Sequence, residues 1–169
     1  MGTTPVSTRM PSILVLYDMQ TGFFNSAIDG ISDKDAHHRW NTKANHVAWL
    51  TGSLVQQRYD LAEGLKLDKS ILLNRQANPE LFSDHKGIQD DRTYPSLVAF
   101  KKDWDFISPI LRDALDKASD EQLDSPYEMP GMNMSFYDLL CFCIYREANC
   151  IGQIALWRRL LGYDAMKYM

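Results

Sequence analysis

The feature that most constrains the fold is residues 135–162, which have the length and spacing of a long amphipathic helix. At about 100° per residue, its main apolar residues fall within roughly 40° of one line. These residues are Leu139, Cys143, Cys150, Ile154, Trp157 and Leu161. Arg146 falls on the same line, although charged side chains are rarely buried without a partner or a function. Arg146 is therefore expected to line a wet cavity, to pair with a carboxylate, or to extend its charged end outward past an apolar stem.

The composition is typical of a soluble, ordered domain. The chain has 169 residues, of which 45% are apolar and 24% charged, so we expect a single domain over residues 1–169. A net charge of −4 gives no electrostatic reason to expect a nucleic-acid partner. The three cysteines lie on one predicted helix and form no convincing disulfide framework, and the apolar run near the N-terminus is too short for a membrane span. We therefore predict a cytoplasmic protein with no membrane partner.

Four helical segments follow from the apolar spacing. The first covers residues 11–29 and ends at Gly30, and the second covers 33–64 with a break near residues 40–42. Residues 66–94 form a long connection with one short helical turn. The third helix covers 95–118, with Pro95 in its first turn and a kink or break at Pro109.

The last helix follows a loop at 119–134. It begins at Ser135, which forms a capping box with Asp138. We find no segment with β periodicity longer than a few residues. The predicted fold class is all-α, a four-helix bundle with a long crossover between the second and third helices, which lets those two helices run parallel.

Two segments resemble the DinB-like superfamily of helical bundles. Residues 45–54, NHVAWLTGSL, are similar to its second-helix pattern, and residues 146–154, REANCIGQI, followed by RRLLG at 158–162, are similar to its last helix. The resemblance covers nearly the whole chain and is most specific at the end of the last helix. It implies a relationship to proposed metal-dependent hydrolases and thiol-dependent transferases. The DNA-damage-inducible label of that group describes induction and implies no DNA binding.

The resemblance also implies where a metal would bind. In that superfamily one histidine on the second helix and two histidines four residues apart on the last helix hold a divalent metal such as zinc, nickel or iron. The matching positions here are Ser53, Arg146 and Cys150. Serine is a poor ligand, a charged arginine cannot ligate and would repel the metal, and only the cysteine could bind. We therefore predict a member that has lost the metal triad and needs no cofactor.

The first functional prediction is a metal-free binding module. Arg146 would hold an anionic group of a small ligand, and Ser53 and Asn149 would orient it. The candidate ligand-binding set also includes Cys150, Trp49 and His46. A structural alternative for His46 is a hydrogen-bonded core residue. The other histidines, which are His37, His38 and His85, are expected to face solvent.

Two further hypotheses stay open. The protein could be a hydrolase or a thiol S-transferase, with Cys150 as the catalytic candidate because Arg146 lies one turn away and a cation lowers a thiol pKa. A divalent metal site rebuilt from His46, Glu147 and Cys150 would serve the same alternative, whereas a buried cysteine is also simply a small apolar residue. The third hypothesis is a structural homodimer formed by apolar faces of the first and last helices.

Overall fold

The computed structural model describes residues 5–83, 86–129 and 131–168. The described chain is mostly helical, which confirms the all-α class. Its helices are α1 (Met10–Ile28), α2 (Asp33–Ala36), α3 (Val47–Gly64), α4 (Lys69–Leu73), α5 (Leu97–Asp116), α6 (Asp120–Leu123) and α7 (Phe136–Leu160). A 3-10 turn covers Pro79–Leu81, and an antiparallel hairpin joins β1 (Pro126–Met129) to β2 (Met132–Ser135).

The start and stop signals of the long helices mostly lie where the sequence predicts them. Gly30 has a φ of +71° just after α1, a conformation that glycine adopts without steric cost. The capping box of Ser135 and Asp138 is present at the start of α7. Pro109 lies inside α5, which continues past it, so the predicted kink does not end the helix.

Three predictions about the helix ends and connections are wrong in detail. The N-cap of α5 is Ser96, whose hydroxyl accepts the backbone N–H of Ala99, so Pro95 precedes the helix and does not lie in its first turn. The break before α3 is wider than predicted and covers residues 37–46. Residues 119–134, predicted as a loop, contain α6 and the hairpin, whose four-residue strands are too short to produce a visible alternation.

The four long helices pack through pairs whose directions follow from their contacts. Asn45, just before α3, contacts Trp157 near the end of α7, whereas Gln57 on α3 contacts Cys143 near its start, so these two helices run antiparallel. On α3 and α5, Gly52 lies against Phe100 while Arg58, further along, contacts Ser108. Those helices therefore run parallel, and the connection between them crosses the length of the molecule, as the sequence predicts.

The contacts that attach this crossover, residues 65–96, to the helices include those at Gly52 and Asp103. A Cβ on Gly52 would lie 2.3 Å from Phe82 and 2.5 Å from Phe100, so only glycine permits this close approach. On α5, the buried Asp103 accepts backbone N–H groups from Gln76 at 2.7 and 2.9 Å and from Ala77 at 2.8 Å. The crossover is therefore packed against both α3 and α5, and it brings Phe82 next to α3.

Within the described ranges, one helix, α7, is long and apolar enough to cross a membrane by length and composition alone. A core helix of a folded domain meets the same criterion. The buried face of α7 also carries Glu147, whose carboxylate accepts hydrogen bonds from Arg58 inside the protein.

Candidate functional site

A buried ion pair between Arg58 on α3 and Glu147 on α7 lies at the centre of the helices. Arg58 Nε donates to Glu147 Oε1 at 2.8 Å and Arg58 Nη2 donates to Oε2 at 2.9 Å, and the two side chains are only 0% and 1% exposed. This two-point geometry is the strong form of an arginine–carboxylate contact. Sequence reasoning did not single out Arg58.

The remaining contacts of Arg58 come from α1 and α5. Its Nη1 donates to Thr21 Oγ1 at 2.8 Å and to Ser108 Oγ at 2.7 Å. The guanidinium lies between the Tyr17 and Trp104 rings, 4.0 and 3.5 Å from their centroids. Hydrogen bonds and aromatic faces together replace the water that a buried charge loses. All four long helices therefore contribute to one buried ionic cluster.

The position of Glu147 corrects the sequence prediction for α7. The buried face of this helix includes Leu140, Ile144 and Ile151 as well as the predicted stripe, and at about 100° per residue Glu147 lies near its middle. Arg146 lies at the edge of that face and is half-buried. Of the three alternatives for Arg146, pairing with Glu147 is not found, because both carboxylate oxygens of Glu147 accept from Arg58.

A cavity of about 300 Å³ lies between α3 and α7, and its wall is completed by the crossover and the hairpin. It is the place where the predicted ligand positions Ser53 and Arg146 meet. The residues lining it are Trp49, Ser53, Gln56, Gln57, Asp60, Leu61, Phe82, Lys86, Tyr127, Leu139, Phe142, Cys143 and Arg146. Such a mainly apolar lining with a few convergent polar groups is typical of small-molecule sites.

Arg146 is held at this cavity by two neutral side chains of α3. Its Nη1 donates to Gln57 Oε1 at 2.9 Å, and its Nη2 donates to Ser53 Oγ at 2.5 Å. Gln57 is itself fixed, since its Nε2 donates to the carbonyl of Cys143 at 3.0 Å. Arg146 forms no ion pair within the described residues. Its direction is therefore set by hydrogen bonds that leave its positive charge uncompensated.

The structure separates the predicted ligand-binding residues into two groups. Ser53, Trp49 and Arg146 line the cavity. Asn149 does not, because its side chain is exposed and accepts a hydrogen bond from Gln153 Nε2 at 2.8 Å, one turn along α7. Cys150 is buried and also lies outside the lining. The prediction that Asn149 orients the ligand is therefore not supported.

The thiol of Cys150 does not have the lowered pKa expected of a nucleophile. Burial raises its pKa, and the opposing effect of the Arg146 charge is smaller. Burial likewise raises the pKa of Cys143, which lines the cavity, to about 12. Both thiols therefore remain protonated near neutral pH, whereas thiol catalysis requires a thiolate.

His46 lies at the start of α3 and does not line the cavity. It is the N-cap of that helix: its Nδ1 accepts the backbone N–H of Trp49 at 3.0 Å, and its buried ring contacts His37 and Tyr94. His37 is also more than a surface residue, because its ring nitrogens contact the carbonyls of Asp33 and Tyr94. His37 is therefore half-buried, so it faces solvent only in part; His38 is exposed as expected, and His85 lies outside the described residues.

The cap at His46 predicts a loss of stability in mild acid. Burial, and then the charge of His37, lower the pKa of His46 to about 4, compared with about 6.5 in an unfolded chain. The stabilisation is complete above the unfolded value and is lost as the pH falls from 6.5 towards 4. We expect urea unfolding to show a contribution of about 2 kcal/mol lost between pH 7.5 and pH 5.

The matched control is His46→Asn, which keeps a capping acceptor but does not titrate. This variant should lose less stability than the original protein over the same pH interval. An equal loss in both proteins would assign the acid sensitivity to other groups.

The side chains at the superfamily's metal positions do not fit a metal ion. Ser53 and Arg146 hydrogen-bond to each other, and a guanidinium at that place repels a dication. The alternative metal site of His46, Glu147 and Cys150 has little support as well, because Glu147 binds Arg58 and His46 caps α3. Over the described parts of the chain, no group of three or more His, Cys, Asp or Glu side chains is placed to hold a metal.

Comparison with known proteins identifies no family for this chain. No family model matches it, and no curated protein matches it. The DinB-like resemblance therefore rests on the residues quoted above.

Proposed function

We propose that this chain is a metal-free, DinB-like four-helix bundle that binds a small anionic ligand at Arg146. The observation that carries the proposal is the guanidinium of Arg146, directed along a 300 Å³ cavity by Ser53 and Gln57 and paired with no carboxylate in the described chain. An arginine fixed in this way can donate its remaining N–H groups to an anion. We place the protein in the cytoplasm.

The bundle assignment is supported by the packing of the long helices. The parallel pair α3 and α5, joined by a long crossover, matches the topology implied by the resemblance. Ser53, Arg146 and Cys150 at the positions that the resemblance assigns to the metal, beside an ionic cluster that packs the four long helices together, are consistent with a bundle whose cavity takes a different ligand. The enzymatic alternatives have less support, because the thiol pKa values are raised and the donor set does not suit a metal.

Acetate is the probe for this proposal, since it has one anionic group and almost no apolar body. At constant ionic strength, we expect acetate to cause saturable amide chemical-shift changes around Ser53 and Gln57. Arg146→Gln should weaken binding at least tenfold, whereas Arg159→Gln, which removes an exposed charge of the same helix, should not change it. Shifts that do not saturate, or that are equal in Arg146→Gln, would contradict the proposal.

Elemental analysis of the same preparation provides a second check. After incubation with zinc, nickel, manganese and iron followed by gel filtration, we expect no stoichiometric metal. Near-stoichiometric metal that disappears in Cys150→Ala or His46→Ala would overturn the metal-free assignment and favour a metal-dependent hydrolase.

A homodimer is the second candidate, and it is compatible with ligand binding. The outer faces of α1 and α7 expose several large apolar side chains, which are Val15, Leu16, Met19, Tyr145 and Leu156. A groove between the two helices continues this apolar surface past Ile13 and Ile144. We propose that a second copy covers it, and sedimentation velocity that detects only monomer would contradict this assembly.

A further inference from the structure

We infer that the ligand of the cavity is a monocarboxylate with a flat, aromatic body. This inference rests on the proposed function and specifies its substrate class. It follows from three properties of the cavity: the net charge of its walls, their aromatic surface, and their length along α3.

The charges of the described lining residues favour a single negative charge. Arg146 and Lys86 contribute two positive charges, and Asp60 contributes one negative charge. The net formal charge of these described side chains is therefore +1, which a carboxylate neutralises and a phosphate monoester, close to −2 at neutral pH, exceeds. The planar guanidinium also matches the two oxygens of a carboxylate. Arg146 uses two of its five N–H groups for Ser53 and Gln57, which leaves donors for such a ligand.

The apolar part of the wall is mostly aromatic. Trp49 from α3, Phe82 from the crossover, Tyr127 from β1 and Phe142 from α7 all line the cavity. Phe142 is 55% exposed, a large fraction for a phenylalanine, and a bound ring would cover it. Aromatic side chains pack well against flat rings in stacked or edge-to-face arrangements. The wall therefore favours an aromatic body over a small inorganic anion.

The dimensions are consistent with a ligand of two fused rings. Ser53, next to Arg146, and Leu61 both line the cavity and are eight residues apart on α3, about 12 Å along the helix. The volume of about 300 Å³ equals that of about ten water molecules in the liquid. A carboxylate at Arg146 would leave the rings lying between α3 and α7 towards Leu139 and Tyr127.

The test uses 2-naphthoate as probe in isothermal titration calorimetry at fixed ionic strength. We expect it to bind at least tenfold more tightly than acetate, than the neutral 2-naphthamide, and than the dianionic 2-naphthyl phosphate. Arg146→Gln should reduce naphthoate affinity at least tenfold, and Arg159→Gln should leave it unchanged. Arg146→Lys keeps the charge without the planar fork and should give an intermediate loss, which also covers the case in which Arg146→Gln does not fold.

The possible failures distinguish this inference from the proposed function. If acetate binds in an Arg146-dependent way and naphthoate binds no more tightly, the aromatic monocarboxylate is wrong while anion binding stands. If naphthyl phosphate binds more tightly than naphthoate, the preference for a single charge is wrong. If naphthoate and naphthamide bind equally to the original protein and to Arg146→Gln, or if no probe binds, both the inference and the proposed function are overturned.

Discussion

Replacing Glu147 with glutamine is expected to lower the free energy of unfolding by about 3–5 kcal/mol. The substitution keeps the shape of the side chain and removes its charge, so Arg58 stays buried without a counter-ion. Neither Thr21 nor Ser108, which accept from the same guanidinium, can supply a negative charge. Since domains of this size are stable by only about 5–15 kcal/mol, the loss would be visible in urea unfolding at pH 7.

Two controls separate the buried charge from ordinary effects of substitution. Asp113→Asn removes one partner of an ion pair with Lys117 in which both side chains are more than half exposed, and it should change stability by less than about 1 kcal/mol. The double variant Arg58→Met with Glu147→Leu removes both charges and should recover much of the loss. An effect of Glu147→Gln as small as that of Asp113→Asn would show that the ion pair is not buried as described.

The second large effect is expected at Trp104, where replacement by alanine should cost about 3–5 kcal/mol. Its side chain is fully buried, stacks on Phe24 with ring centroids 3.9 Å apart, and covers one face of the Arg58 guanidinium. The substitution would both open a cavity and expose a charge to it. Because Trp104 and Glu147 contact the same guanidinium, their combined effect should differ from the sum of the two single effects.

Trp40→Ala is the matched control, because Trp40 is 42% exposed on the loop before α3. Its replacement should have a much smaller effect in the same urea experiment. Equal losses at the two positions would contradict the assignment of Trp104 to the central core.

The sequence allowed the helices to be predicted well, because their signals are local. Apolar spacing, the glycine after α1 and the capping box of Ser135 and Asp138 each act within a few residues, so they can be recognised without knowledge of the packing. The hairpin was not predicted, because it has no comparable local signal. Its strands have four residues each, and their pairing depends on contacts that no periodicity reveals.

The central ion pair could not be assigned because its two members belong to helices far apart in the chain. Arg58 follows Leu54 by four residues and precedes Leu61 by three, a spacing that is compatible with an inward-facing position. Glu147 follows Cys143 by four residues and precedes Ile151 by four, which is an equivalent helical spacing. From the sequence alone, either residue is also compatible with a charge at the edge of an apolar face. Only their meeting across α3 and α7 shows that both are buried.

The sequence brought together some of the residues that line the cavity. Ser53 and Arg146 could be placed together because the resemblance assigned them to facing helices, and both line the cavity. Phe82 and Tyr127 could not be anticipated, since they come from segments with no helical pattern. Asn149 was misplaced because the buried face of α7 is centred closer to Glu147 than its apolar residues suggested.

The wall of the cavity is divided between two kinds of attachment. The ionic cluster joins the four long helices. The outer wall of the cavity belongs partly to the crossover, which is held against the helices by hydrogen bonds to Asp103 and by the packing of Phe82 on Gly52. The positions of Arg146 and of Phe82 at the cavity are therefore fixed by two separate sets of contacts, one on α3 and α7 and one along the crossover.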